Sequence, residues 1–302
     1  GLHFMVLLAF VSVDVLQMLI DVGGAALYKP FSAPGESMSD IAAMFFLVHA
    51  MGATDTLALN GPSWSISTEF FCYILFAFII VYIRKYTNLF ILLCSLSCGA
   101  MLYVLAGELY AKLDFGFLRC VYGFGCGALT WSVYKSYIAP SEKNMRWFRK
   151  YASYIESAVF VVICVYLAFF ATGALSFLAP FLFSGVIIVF AVEAGILSSI
   201  LRKQAFLLIG TLSYSIYMIH MFIKGKLFEL PFRILESKYD WQLTLQVDDV
   251  TLFGTNLING TLLELFYLSV VIICSYISYK IIEEPCRKLS KKWQGMNSVK
   301  LH

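Results

Sequence analysis

SISTEFFCYILFAFIIVYI, residues 65–83, carries a single charged side chain, Glu69, in an otherwise apolar or uncharged run. Crossing ~30 Å of hydrocarbon at ~1.5 Å per residue takes ~20 such residues, so the run reads as a membrane-spanning helix. Working outward, eight stretches qualify, at about 4–27, 65–83, 89–106, 116–134, 154–172, 177–198, 205–224 and 262–282. The run IAAMFFLVHAM, residues 41–51, is too brief to span and reads as an interfacial or re-entrant helix. The expected fold is all-α, a polytopic membrane bundle of about eight transmembrane helices plus one short interfacial helix.

Composition agrees. Of 302 residues, 60% are apolar and 14% charged, against roughly 45–50% and about 25% in soluble domains. A water-soluble fold cannot hide that much apolar surface or cover itself with so few charges. Soluble enzymes, nucleic-acid-binding modules and disordered chains are excluded; no nucleic-acid partner is expected. The eight cysteines lie in apolar runs, except Cys286 among basic residues, and none has zinc-ligand spacing, so no metal or disulfide framework is expected.

The small net charge of +3 leaves placement as the electrostatic signal. With the first end inside, inner segments hold Arg84, Lys85, Lys135, Lys143, Arg146, Arg149, Lys150, Arg202, Lys203, Arg287, Lys288, Lys291, Lys292 and Lys300. Outer segments hold Lys29, Lys112, Lys226, Arg233 and Lys238, while Arg119, Lys224 and Lys280 fall within spans. Positive residues favour the cytoplasm, so both ends are expected inside. Residues 28–64 and 225–261, the latter with Asp240, Asp248 and Asp249, become extracytoplasmic loops; 283–302 becomes a basic cytoplasmic tail.

Polar residues inside spans are costly and therefore candidate functional groups. In NGPSWSISTEFF, residues 60–71, Gly-Pro makes a turn, Ser63 can cap the helix, and Asn60, Trp64, Ser65, Ser67 and Glu69 cluster at its start. A carboxylate there meets the positive end of the helix dipole. An N-cap with an interfacial tryptophan explains the segment equally well. In SYSIYMIH, residues 213–220, the side chains Ser213, Tyr217, His220 and then Lys224 recur at i, i+4, i+7 and i+11, one polar stripe. Arg119 sits among Gly116, Gly123, Gly125 and Gly127, small residues that let helices approach closely; it must pair, with Glu69 as natural partner, or snorkel to the interface. Glu69, Arg119 and His220 each lie about four residues, roughly 6 Å, below the same outer edge, which predicts one cavity open to that face. His49 approaches it from the short interfacial helix. Asp14 and Glu193 lie in spans without an evident partner. In Glu283-Glu284-Pro285-Cys286-Arg287 the proline is expected to stop the last helix, and the carboxylates to pair with inner cations.

Four segments, NGPSWSISTEFFCYIL, LRCVYGFGCGAL, GTLSYSIYMIH and YKIIEEPCRKL, occur in an order that resembles the acyltransferase 3 family. The resemblance covers nearly the whole chain as a single acyltransferase-like domain, 1–302. It implies a multispan membrane O-acyltransferase acting on surface polysaccharides, lipopolysaccharide or related glycans. It also makes Glu284, Pro285 and Arg287 a structural motif. Family members carry, in their first span, an arginine or lysine followed by a histidine, the family's proposed base. No such segment stands here, and residues 2–8 resemble the family's third span, so the resemblance implies a chain truncated at its N-terminus.

The chemistry so implied is transfer of an acyl group, in the first instance acetyl, from acyl-CoA to a hydroxyl of a surface polysaccharide or lipid-linked sugar. Acyl-CoA acts as donor substrate, with no bound cofactor. Such a hydroxyl needs a base, with His220 the candidate, and the oxyanion needs donors in a water-poor site, from Arg119, Tyr217 or Ser65. Glu69 would orient a partner. The expected location is the inner membrane. A sugar or lipid transporter, or a non-catalytic scaffold, is the alternative; the transporter should show inverted repeats and broken helices, which the sequence does not.

Overall fold

The computed structural model describes residues 1–20, 31, 35–57, 59–110, 114–239, 241–247 and 250–298. Lys29, Lys112, Asp240, Asp248, Asp249 and Lys300 lie outside the described residues. In chain order the helices are α1 (Leu2–Ile20), α2 (Met38–Phe45), α3 (Trp64–Phe78), α4 (Thr87–Ala106), α5 (Gly116–Val133) and α6 (Glu142–Phe169). They continue as α7 (Ala179–Phe190), α8 (Ile196–Leu201), α9 (Gln204–Phe222), α10 (Leu230–Tyr239), α11 (Leu257–Ser278) and α12 (Glu284–Ser298). Strands β1 (Thr244–Val247) and β2 (Val250–Phe253) form an antiparallel hairpin pairing Thr244 with Phe253 and Val247 with Val250. The chain is an all-α membrane protein.

Among the described residues, six stretches are long and apolar enough to cross a membrane, against the eight read from sequence. One of them, Gly61–Ala106, is 46 residues long and contains both α3 and α4, joined through a 3₁₀ turn at Arg84–Tyr86. α5 is not among the six: Arg119 and its glycines dilute its apolar character. Large apolar side chains such as Val104, Phe169 and Leu257 remain exposed, as lipid-facing surface requires. The short run expected as one helix over 41–51 is divided. α2 ends at Phe45, Leu47 takes φ 58°, and His49–Ala53 forms a wide turn with Gly52 at φ 81°. The left-handed backbone at Leu47 cannot continue a helix.

The chain divides into two compact units. The first comprises residues 1–45, 56–63 and 209–302. Leu2, Val6, Leu7 and Phe10 form the buried stripe of α1, and His3 on that face donates from Nε2 to the Met44 carbonyl, 3.1 Å away, tying α2 to α1. Phe10 meets Phe222 edge-on with centroids 5.0 Å apart. Asp14, fully buried, forms an ion pair with Lys226 in the π-helical segment Ile223–Glu229. Glu236 accepts from the Leu243 and Thr244 amides at 2.8 and 2.7 Å, fixing α10 to the hairpin. Gly254, at φ 86°, ends that hairpin where a Cβ would lie 2.6 Å from the Gly260 nitrogen, so only glycine fits. Asn256 then caps α11, accepting from the Asn259 amide at 2.9 Å.

Pro285 does not stop the last helix. The segment Tyr279–Glu283 winds as a π turn, in which the Glu284 amide reaches back five residues to the Tyr279 carbonyl, and α12 follows directly. The wider turn shifts the carbonyl register that the proline ring would otherwise strike, and Pro285 sits in the first turn of α12.

The second unit comprises residues 46–55 and 64–208. α4 and α5 approach closely through small residues. A Cβ on Gly125 would lie 2.7 Å from that of Ser95, and one on Gly99 would lie 2.9 Å from the Tyr122 ring. Ser95 Oγ donates to the Tyr122 carbonyl at 2.8 Å across the same contact. Cys72, Phe76, Ile79, Ile91 and Val121 form the core between α3, α4 and α5. Glu156 of α6 is buried and accepts from the Gly195 and Ser198 amides at 2.9 and 3.0 Å and from Ser198 Oγ at 2.6 Å, capping α8. All eight cysteines are free thiols.

Candidate active site

Within the second unit, α3 and α5 open into a pocket of about 310 Å³ lined by Trp64, Ser65, Thr68, Glu69, Tyr73, Arg119, Cys120, Gly123 and Phe124. The spacing explains the lining. Trp64, Thr68 and then Glu69 and Tyr73 lie on adjoining rows of α3, and Arg119, Cys120, Gly123 and Phe124 on adjoining rows of α5. Gly116 allows the approach at the pocket's edge. A Cβ there would meet the Trp64 ring at 3.2 Å and the Thr68 methyl at 3.3 Å.

The pocket's charges are held by contact rather than by full burial. The Arg119 guanidinium carbon lies 5.3 Å from the Trp64 ring centroid, a cation–π arrangement. The Glu69 carboxylate interacts with the Tyr73 hydroxyl one turn along α3. Thr68 Oγ1 donates to the Ser65 carbonyl at 3.0 Å, which holds the first turn of α3. An exposed carboxylate and a partly exposed guanidinium on facing helices form a polar notch in a surface otherwise built of phenylalanine, isoleucine and tyrosine.

Of the three residues placed at one depth by sequence, Glu69 and Arg119 line this pocket, together with Trp64 and Ser65. His220 belongs to the first unit. Its Nδ1 lies 2.8 Å from the Tyr217 carbonyl and 3.2 Å from that of Ile216. A carbonyl can only accept, so Nδ1 carries a proton, and in that tautomer Nε2 is the nitrogen with the lone pair. Tyr267 donates to the His220 carbonyl at 3.1 Å. Tyr217 donates to the Pro62 carbonyl at 2.9 Å, Ser213 to the Gly210 carbonyl at 2.9 Å, and Lys224 pairs with Glu229 at 3.5 Å. Asn60 is buried and donates to the Met218 carbonyl at 3.1 Å; Ser63 donates back to the Asn60 carbonyl at 2.7 Å.

Ser67 and His49 are engaged with the wide turn of the second unit. Ser67 Oγ donates to the Leu47 carbonyl at 2.5 Å and accepts from the Ala50 amide at 3.3 Å. His49 is fully buried, and its carbonyl accepts from Thr54 at 2.9 Å. At the other end of the chain, Glu284 pairs with Lys280 and Lys288 at 2.8 and 2.9 Å, Ser215 donates to Glu283, and Arg287 lies 5.7 Å from the Tyr279 ring centroid. The carboxylates there are thus satisfied within the first unit.

Three features escaped the sequence. Tyr73 and Cys120 join the pocket; Tyr73 stands at i+4 from Glu69, a spacing that was available to be read. Asp14 is not partnerless: its ion partner is Lys226, 212 residues away, for which no local signal exists. Glu193 pairs with Arg202 at 3.4 Å, on an exposed bend where Glu193 takes φ 52°.

A family profile described as an acyltransferase domain, acyltransferase 3, matches residues 5–280. No curated protein and no solved structure matches the chain.

Proposed function

This chain belongs to the acyltransferase 3 family of membrane acyltransferases, and from that premise we propose that it carries an acyl group, acetyl in the simplest case, from acyl-CoA to a hydroxyl of a surface polysaccharide or lipid-linked sugar. One observation carries the site assignment: Glu69 and Arg119, with Trp64 and Ser65, line a single pocket between α3 and α5.

The reaction forms a C–O bond to the acceptor oxygen as the C–S bond of the thioester breaks. The hydroxyl proton must leave and ultimately reach the coenzyme A sulfur. A sugar hydroxyl is a weak nucleophile at neutral pH, so a base is required. His220 suits that role because its Nε2 lone pair is the free one of the tautomer its helix imposes. The tetrahedral intermediate places negative charge on the former carbonyl oxygen. Arg119, stacked on Trp64 and thereby oriented, offers N–H donors to that charge, and Ser65 offers a hydroxyl. Glu69, engaged with Tyr73, orients rather than attacks.

The same proposal places the chain in the inner membrane with both ends of this chain in the cytoplasm, the side from which acyl-CoA arrives. The distribution of lysine and arginine supports that orientation. The test is mass spectrometry of surface glycans from cells with and without the full gene. The reading expects O-acyl groups to disappear with the gene; unchanged O-acyl content would refute it.

A further inference from the structure

α12 has no part in the pocket between α3 and α5, yet its two sides differ sharply. Cys286, Leu289 and Trp293 recur at i, i+3 and i+7 and form one apolar stripe. Arg287, Lys288, Lys291 and Lys292 recur at i, i+1, i+4 and i+5 and cover the opposite side. All seven side chains are exposed. Glu284 is the carboxylate on the basic side, and it is shared between Lys280 and Lys288, so the face stays strongly positive. Gly1 stands beside Cys286, where an added Cβ would lie 3.5 Å from Sγ, but Leu289 and Trp293 keep 60% and 69% of their surface open. Nothing in a soluble helix justifies leaving a tryptophan and a leucine bare beside four cations.

We infer that α12 is a docking face for the anionic lipid headgroups of the leaflet in which α11 ends. Two observations select a lipid surface over a soluble polyanion. The helix adjoins a membrane-spanning one through the π turn at Tyr279–Glu283, where a helix axis can change direction. The cations also stand beside a tryptophan and a leucine, the pairing of charge and apolar surface that a headgroup layer satisfies and a free phosphate does not. The lysine and arginine stems reach the phosphates while Leu289 and Trp293 enter the acyl boundary. Docking of α12 requires that α11 span the membrane and is independent of the acyl-transfer reading.

The test is hydrogen–deuterium exchange of residues 284–298 in the full chain, reconstituted in nanodiscs of phosphatidylcholine alone or mixed with phosphatidylglycerol. Exchange should be roughly tenfold slower or more in the anionic discs, since each cation near such a surface contributes on the order of 1 kcal/mol. Raised salt should remove that protection. So should Arg287, Lys288, Lys291 and Lys292→Gln together, and separately Leu289→Gln with Trp293→Gln, while exchange of α4 stays unchanged as the check on folding. Equal exchange in both lipids would overturn the inference. Equal protection in phosphatidylcholine discs by soluble acyl-CoA or inorganic phosphate would overturn it too.

Discussion

The Arg119 guanidinium lies 5.3 Å from the ring centroid of Trp64, so the cation of α5 is positioned by an aromatic face at the start of α3. Arginine in an apolar surface is expensive, and a π face recovers part of its lost hydration. That contact supports the guanidinium where Glu69 and Arg119 share the wall of one pocket.

Trp64→Phe keeps a weaker π face and should retain most acyl transfer, whereas Trp64→Ala removes the face on which the guanidinium rests. The contact is worth about 0.5–2 kcal/mol. Thermal unfolding of the purified protein in detergent should therefore fall modestly for Trp64→Ala, and its transfer activity should fall more than its stability.

Gly125→Ala places a Cβ 2.7 Å from the Ser95 Cβ, a distance that neither helix can absorb without moving. Overpacking of this kind costs about 1–3 kcal/mol. Gly123→Ala, on the pocket side of the same helix with nothing within 4 Å of the added atom, should leave the melting temperature unchanged. Equal melting temperatures for the two variants would contradict the close packing of α4 on α5.

The buried pair of Asp14 and Lys226 supplies a prediction about folding alone. Lys226→Met removes the cation paired with the fully buried Asp14 carboxylate and should cost about 3–5 kcal/mol. Removing both, as Asp14→Leu with Lys226→Met, should recover most of that loss. Denaturation of Asp14→Leu, Lys226→Met and the double variant closes the cycle.

Glu156→Ala removes the acceptor for the Gly195 and Ser198 amides and the Ser198 hydroxyl at the start of α8. Loss of a helix cap costs about 1 kcal/mol, and more where the donors are buried. Exchange at residues 195–201 should quicken without a matching loss in α4.

The membrane class was legible from sequence because apolar length and charge scarcity need no tertiary information. The start of α3 was legible too. Trp64, Ser65 and Glu69 fall on one side of a helix whose beginning Gly-Pro announces, and Arg119 was marked by its cost in a span. Less could be read where distance in sequence intervenes. Nothing near Asp14 points to Lys226, and nothing near Glu156 points to Ser198. Pro285 misled because a proline normally ends a helix, whereas the preceding π turn lets α12 continue. The span count differed because α3 and α4 form one continuous stretch and Arg119 lowers the hydropathy of α5.

The most direct measurement is acyl transfer in vesicles holding the purified full-length protein, supplied with isotopically labelled acetyl-CoA outside and a glycan acceptor within. Wild type should label the glycan. Arg119→Ala should lower the rate by roughly 10²–10³-fold, as for loss of an oxyanion donor, with Glu69→Gln and His220→Gln also deficient. The latter two should keep the wild-type melting temperature, and Arg119→Ala should melt only modestly lower, as Trp64→Ala does. Wild-type rates in Arg119→Ala and Glu69→Gln would contradict the pocket's role in the chemistry.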